Sequence, residues 1–334
     1  MNKNFARTKY KIQFPFFLND SLEILFEKLN FNFENENFKI TILTKPLLIG
    51  IANVKLNLYS KYASPLTTYY GIEILKKSKA EMSIDEATKL LKSFILEFNQ
   101  ATNMIIEISE LHDFDSDYYG YEEEEEEEEN LENPSSTINI SELPNYSEAI
   151  EFYLKAQSTS DDEIKFLYYY KIIEYFSPKV AKLKAYEVLV KKLDSIKYKN
   201  TKSSDLDTII DISESLRKSK SDSELAKTVL STGIDIIDLF DLLPENTRKL
   251  ICKNIGINSN TVDYNLSIDK IESISQSLGK ILYSTRNSIV HAKSNYTPDS
   301  FECKTEDLSQ MNTFLYKATY QVLKWNDNLP KHSK

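Results

Sequence analysis

The stretch Leu282-Tyr283-Ser284-Thr285-Arg286-Asn287-Ser288-Ile289-Val290-His291-Ala292 closes a long helical pattern, and its reading decides what the second half of this 334-residue chain is. At ~100° per residue, Ile274, Leu278, Ile281, Leu282, Thr285 and Ile289 share about a third of the helix circumference, an amphipathic core stripe. Tyr283, Arg286, Asn287 and His291 project from the opposite side, with Asn287 and His291 at i and i+4. A merely solvated face would carry Lys and Glu; this one carries recognition chemistry. An imidazole moves protons near neutral pH, and a guanidinium holds negative charge that develops on phosphorus. The plainer reading is a surface arginine and a histidine that complements the helix dipole. Both readings fit the spacing.

From Leu143 onward the pattern is almost wholly helical. Helices are predicted over 147–157, from Ser160 or Asp161 to Pro178, and over 180–197, 204–219, 222–231, 233–243, 245–254, 267–293 and 305–326. Short connections between many helices predict a bundle with additions. The second helix, Phe166-Leu-Tyr-Tyr-Tyr-Lys-Ile-Ile-Glu174-Tyr-Phe176, is apolar or aromatic nearly all round, which predicts burial on several sides or an oligomer interface. Glu174 interrupts that surface, and a carboxylate in such surroundings needs a partner. It pairs either with Lys171 at i−3 or across the bundle with Arg286.

The first hundred residues read as a small mixed domain. Strands are predicted over Lys9–Phe16, Phe38–Thr44, Leu48–Leu58, Thr67–Leu75 and Met104–Ile108. Asp20 is expected to cap a short helix through Leu29. Ser83-Ile-Asp-Glu86 is a capping box that opens a helix with Ala87, Leu90, Leu91, Phe94, Ile95 and Phe98 on its apolar side. No chemical motif stands out, so a sensing or regulatory role is the default. The predicted organisation is an α+β domain over 1–108, an acidic disordered linker over 109–142, and a helical domain over 143–330.

The net charge of −10 is unevenly spread. Residues 107–144 carry fifteen Asp and Glu, including the run Glu122–Glu129, and no Lys or Arg, which leaves +5 for the rest of the chain. That run reads as a solvated spacer or as an internal nucleic-acid mimic occupying a basic groove. The folded parts are compatible with a polyanionic ligand without demanding one. No run reaches the ~20 apolar residues a membrane span needs, and the first ten residues lack a secretory apolar core. Cys252 and Cys303 make neither a disulfide framework nor a zinc site, and a cytoplasmic location without membrane association is expected.

Arg286-Asn287-Ser-Ile-Val-His291, preceded by the glutamate helix Phe166–Glu174 in an all-helical context, resembles the HEPN superfamily of all-helical nucleases. The hallmark there is Arg, four to six residues, then His. The surrounding residues look most like the ApeA-like HEPN branch, where an upstream Phe-Leu-x-Tyr-Tyr-x-x-x-Glu helix is usual. The resemblance covers roughly 145–328. It implies an all-α HEPN-type bundle that dimerises so that two motif helices line one cleft. Arg286, His291 and Asn287 would then be catalytic, with Glu174 and Tyr283 in support and neither cofactor nor metal required. The implied activity is a metal-independent endoribonuclease that cuts host or phage RNA through 2′-hydroxyl attack, as an abortive-infection toxin in bacterial anti-phage defence. A phage-derived trigger or a separate antitoxin would control it. The alternative is a non-catalytic HEPN scaffold that holds a nucleotide, an RNA or a protein in the same cleft.

Overall fold

The computed structural model describes residues 3–17, 29–58, 69–78, 80–111, 136–197, 207, 210, 222–291 and 301–330. The chain divides into two compact units, Met1–Tyr146 and Ser147–Lys334. The first is built on a sheet of β1 (Ala6–Arg7), β2 (Lys11–Phe17), β3 (Leu29–Glu34), β4 (Phe38–Leu43), β5 (Tyr70–Lys76), β6 (Glu107–Ile108) and β7 (Ser136–Asn139). Strand order is β1-β2-β5-β4-β3-β7, with β6 also paired to β2. All these pairings are antiparallel except β3 with β7. Register puts Ile12 opposite Ile74 and Ile74 opposite Ile40. These three isoleucines are at most 1% exposed and form one β-branched row across the sheet.

Two helices complete this unit, α1 (Leu47–Leu56) and α2 (Ile84–Thr102). The first replaces the strand expected over Leu48–Leu58. A short apolar run does not reveal its period by composition; the buried residues Ile49, Ala52 and Asn53, at i, i+3 and i+4, do. Pro46 at its N-cap makes no side-chain cap. Gln13, buried on β2, supplies one instead: its Oε1 accepts from the Leu48 amide at 2.9 Å and the Ile49 amide at 3.3 Å. Gly71 on β5 lies under that turn, where a Cβ would meet the Pro46 Cβ at 2.6 Å. Ser83 caps α2 by accepting from the Glu86 amide at 3.1 Å. The Glu86 carboxylate accepts instead from Lys76, at 2.8 and 2.9 Å.

Strand β3 was not anticipated. Strand β7 falls inside the stretch read as a linker over 109–142, because Thr137 and Ile138 follow directly on the loop-like Asn133-Pro134-Ser-Ser. Leu111, fully buried against Ala6, Ile49, Ala52 and Tyr69, also belongs to the first unit. The run Glu122–Glu129, the helix expected from Asp20 and most of the helix expected over 204–219 lie outside the described residues.

The second unit is helical among its described residues: α3 (Glu148–Ser158), α4 (Asp162–Lys197), α5 (Asp222–Gly233), α6 (Ile236–Leu239), α7 (Glu245–Ile255), α8 (Ile268–Val290) and α9 (Leu308–Asp327), with three short 3₁₀ turns. Helix α4 packs on α3, α5 and α9, while α8 packs on α5, α7 and α4. Helix α4 buries Phe166, Tyr169, Tyr170, Ile172, Ile173, Phe176 and Val180, which at ~100° per residue share one broad face, while Ile164 and Tyr175 stay exposed, so burial all round the helix is not what one chain shows. A stop at Pro178 was expected, yet α4 runs through it to Lys197. Packing of that face on α3, α5 and α9 outweighs the one ladder bond that Pro178 deletes, the bond to the Glu174 carbonyl.

Candidate functional site

Helix α8 buries Ile274, Ser275, Leu278, Gly279, Ile281, Leu282 and Thr285. Fully burying one such Leu or Ile contributes about 1.5–3 kcal/mol, so the rotation of α8 is firmly set. The Thr285 hydroxyl adds a pin: it donates to the Ile281 carbonyl at 2.8 Å and accepts from the buried Cys303 amide at 2.8 Å. With that face held inward, Tyr283, Arg286 and Asn287 are half-buried on the other side and His291 is exposed.

Arg286 is the hub. Its Nη2 stands 3.6 Å from Glu174 Oε1, and its Nη1 donates to Asn287 Oδ1 at 3.0 Å. The cross-bundle partner is therefore the one that Glu174 takes. Lys171 instead places its amine over the rings of Phe152 and Tyr168, at 5.6 and 5.4 Å. With 29% and 39% of the two side chains exposed, the Arg286–Glu174 pair stabilises the fold by no more than about 1 kcal/mol. Orienting a guanidinium is the better account of it.

Burial pushes the Glu174 carboxyl above its ordinary value; the Arg286 charge opposes this, and the Asp222 charge adds to it. Asp222, first residue of α5, is thus a second acid in the neighbourhood. Sequence reading missed it, because Asp at a helix start looks like dipole complementation. Tyr170, one turn before Glu174, was missed too. Its phenol is pushed up by burial first, then by Glu174, with Arg286 opposing.

His291 caps the C-terminal end of α8, with its amide donating to the Asn287 carbonyl at 2.9 Å. Among the described residues its ring forms no hydrogen bond or ion pair, with Arg286 or any other side chain. One chain therefore gathers Glu174, Arg286 and Asn287 with Tyr170, Asp222 and Tyr283 nearby, and among the described residues His291 stays outside that group at the helix end. Among the described residues no group of three or more His, Cys, Asp or Glu is placed to hold a metal ion. No described helix is long and apolar enough to cross a membrane. Compared with known proteins, the chain matches no family model, no curated protein and no solved structure.

Proposed function

We propose that the second unit is a HEPN-type endoribonuclease domain that works as a homodimer, with the first unit regulating it. The observation that carries this reading is the Glu174–Arg286–Asn287 relay near the end of the helix that His291 closes, with the His291 ring bonded to no other described residue. Glu174 and Asn287 hold the guanidinium in place before RNA binds, and its planar fork suits the equatorial oxygens of a phosphorane. Two copies related by a two-fold axis would set two imidazoles and two guanidiniums along one shared groove.

His291 accepts the ribose 2′-hydroxyl proton as that oxygen attacks phosphorus. The P–O5′ bond breaks, and an imidazolium returns a proton to the leaving 5′-oxygen. Products are a 2′,3′-cyclic phosphate and a 5′-hydroxyl. Every step uses side chains of this protein. The biological role that fits is an RNA-cleaving effector in bacterial anti-phage defence, which halts phage production by damaging RNA.

The test is induction of wild type and His291→Ala in cells, with RNA integrity followed, and incubation of each purified protein with RNA in EDTA. Cleavage by wild type alone supports the enzyme. RNA binding without cleavage by either protein would leave the scaffold reading instead.

A further inference from the structure

We propose that the Tyr170 hydroxyl is the donor that takes over the Glu174 carboxylate when Arg286 turns onto a substrate phosphate, which makes Tyr170 a positioning residue. This rests on the nuclease reading. The starting observation is an unsatisfied group: Tyr170 is 1% exposed, and its hydroxyl is buried without a hydrogen-bond partner among the described residues. A buried orphan hydroxyl is costly and uncommon. Its ring stacks on Phe166 with centroids 6.3 Å apart and planes 13° apart, so it is firmly seated.

The placement gives the orphan a use. Tyr170 and Glu174 are i and i+4 on α4, neighbours on one side of the helix, and the Glu174 charge acts on the Tyr170 phenol. At 3.6 Å the Arg286–Glu174 contact is longer than a strong charge-assisted bond, so Arg286 leaves it at little cost. Once Arg286 has turned, Glu174 is a half-buried anion with Asp222 as a like-charged neighbour. A phenol is protonated at neutral pH and can donate. It then satisfies Glu174 when the arginine no longer does, and lowers the cost of presenting Arg286 to RNA.

The experiment uses the full chain as wild type, Tyr170→Phe, Glu174→Gln, the double variant and His291→Ala. Melting temperature is measured without RNA, and cleavage of a labelled single-stranded RNA is measured in EDTA. Tyr170→Phe is expected to melt as high as wild type or about 1–3 °C higher, since it removes a buried unpaired hydroxyl. Its kcat/KM is expected to fall about ten-fold or more, the value of a hydrogen bond to a charged acceptor. In the Glu174→Gln background the same change is expected to have little further effect. A lower melting temperature for Tyr170→Phe, an unchanged kcat/KM, or full additivity in the double variant overturns the role for Tyr170 while the nuclease reading stands. Wild type that cleaves no RNA, or His291→Ala that cleaves like wild type, overturns both.

Discussion

The Glu174 carboxylate on α4 stands 3.6 Å from the Arg286 guanidinium on α8, joining two helices 112 residues apart in sequence. The pair is too exposed to hold the bundle together, so its removal separates stability from function. Glu174→Gln is expected to change the melting temperature by less than about 2 °C. RNA cleavage should fall by about ten-fold or more, because the guanidinium is no longer held ready for the phosphate before RNA binds. Thermal melts and cleavage rates on the same preparation check this; a large loss of both would make Glu174 a structural residue.

A pH dependence follows from the same carboxyl, which burial holds above its ordinary value against the pull of Arg286. The folded protein then binds that proton more tightly than the unfolded chain does. Stability from this group is present at acid pH and is lost as pH rises through the window above the ordinary glutamate value. Glu174→Gln lacks the effect. The melting temperature of the variant minus that of wild type should therefore increase from acid to neutral pH, modestly because the side chain is 39% exposed.

At Gly279 the backbones of α8 and α5 approach closely. A Cβ there would stand 2.6 Å from the Lys227 Cγ and 2.8 Å from its Cα, so backbone must move. Gly279→Ala is expected to destabilise by about 1–3 kcal/mol in denaturant unfolding. Gly233→Ala, which meets only the Val322 Cγ2 at 3.2 Å as its nearest atom, should cost less.

Thr285→Val leaves the Cys303 amide without its acceptor in a buried place. The expected loss is about 1–3 kcal/mol, the cost of stranding a buried donor, and Thr285→Ser should restore most of it.

Both thiols should be inert in the folded protein. Burial raises Cys252 and pushes Cys303 up to about 12, with Asp307 adding to the latter. Neither should react with iodoacetamide at pH 8 until the chain unfolds, as mass spectrometry of labelled samples would show.

What could be read ahead of the structure depended on whether the signal was local. The capping box at Ser83 and the α8 stripe repeat within a few residues, and both helices formed where that pattern placed them. Leu48–Leu58 failed because its apolar run has no clear period; its helix is settled by Gln13, 35 residues upstream, capping Leu48. Pro178 misled because the breaker rule sees one missing bond and not the helices packed against α4. Arg286, Asn287 and His291 stand out in the sequence by side-chain type on one helix face, and of these the structure brings Arg286 and Asn287 to Glu174. The two partners proposed for Glu174 were equally available to the sequence, and only the crossing of α4 with α8 selects Arg286. Tyr170 and Asp222 gave no sign at all: an aromatic in an aromatic helix and an acid at a helix start look ordinary until their surroundings are known.

The most direct measurement is the chemistry of RNA ends left by the purified protein in EDTA. Wild type should leave 2′,3′-cyclic phosphate and 5′-hydroxyl ends, while Arg286→Ala and His291→Ala, folded and melting like wild type, should leave the RNA whole. Intact RNA with wild type, or the same cleavage with His291→Ala, would contradict the account.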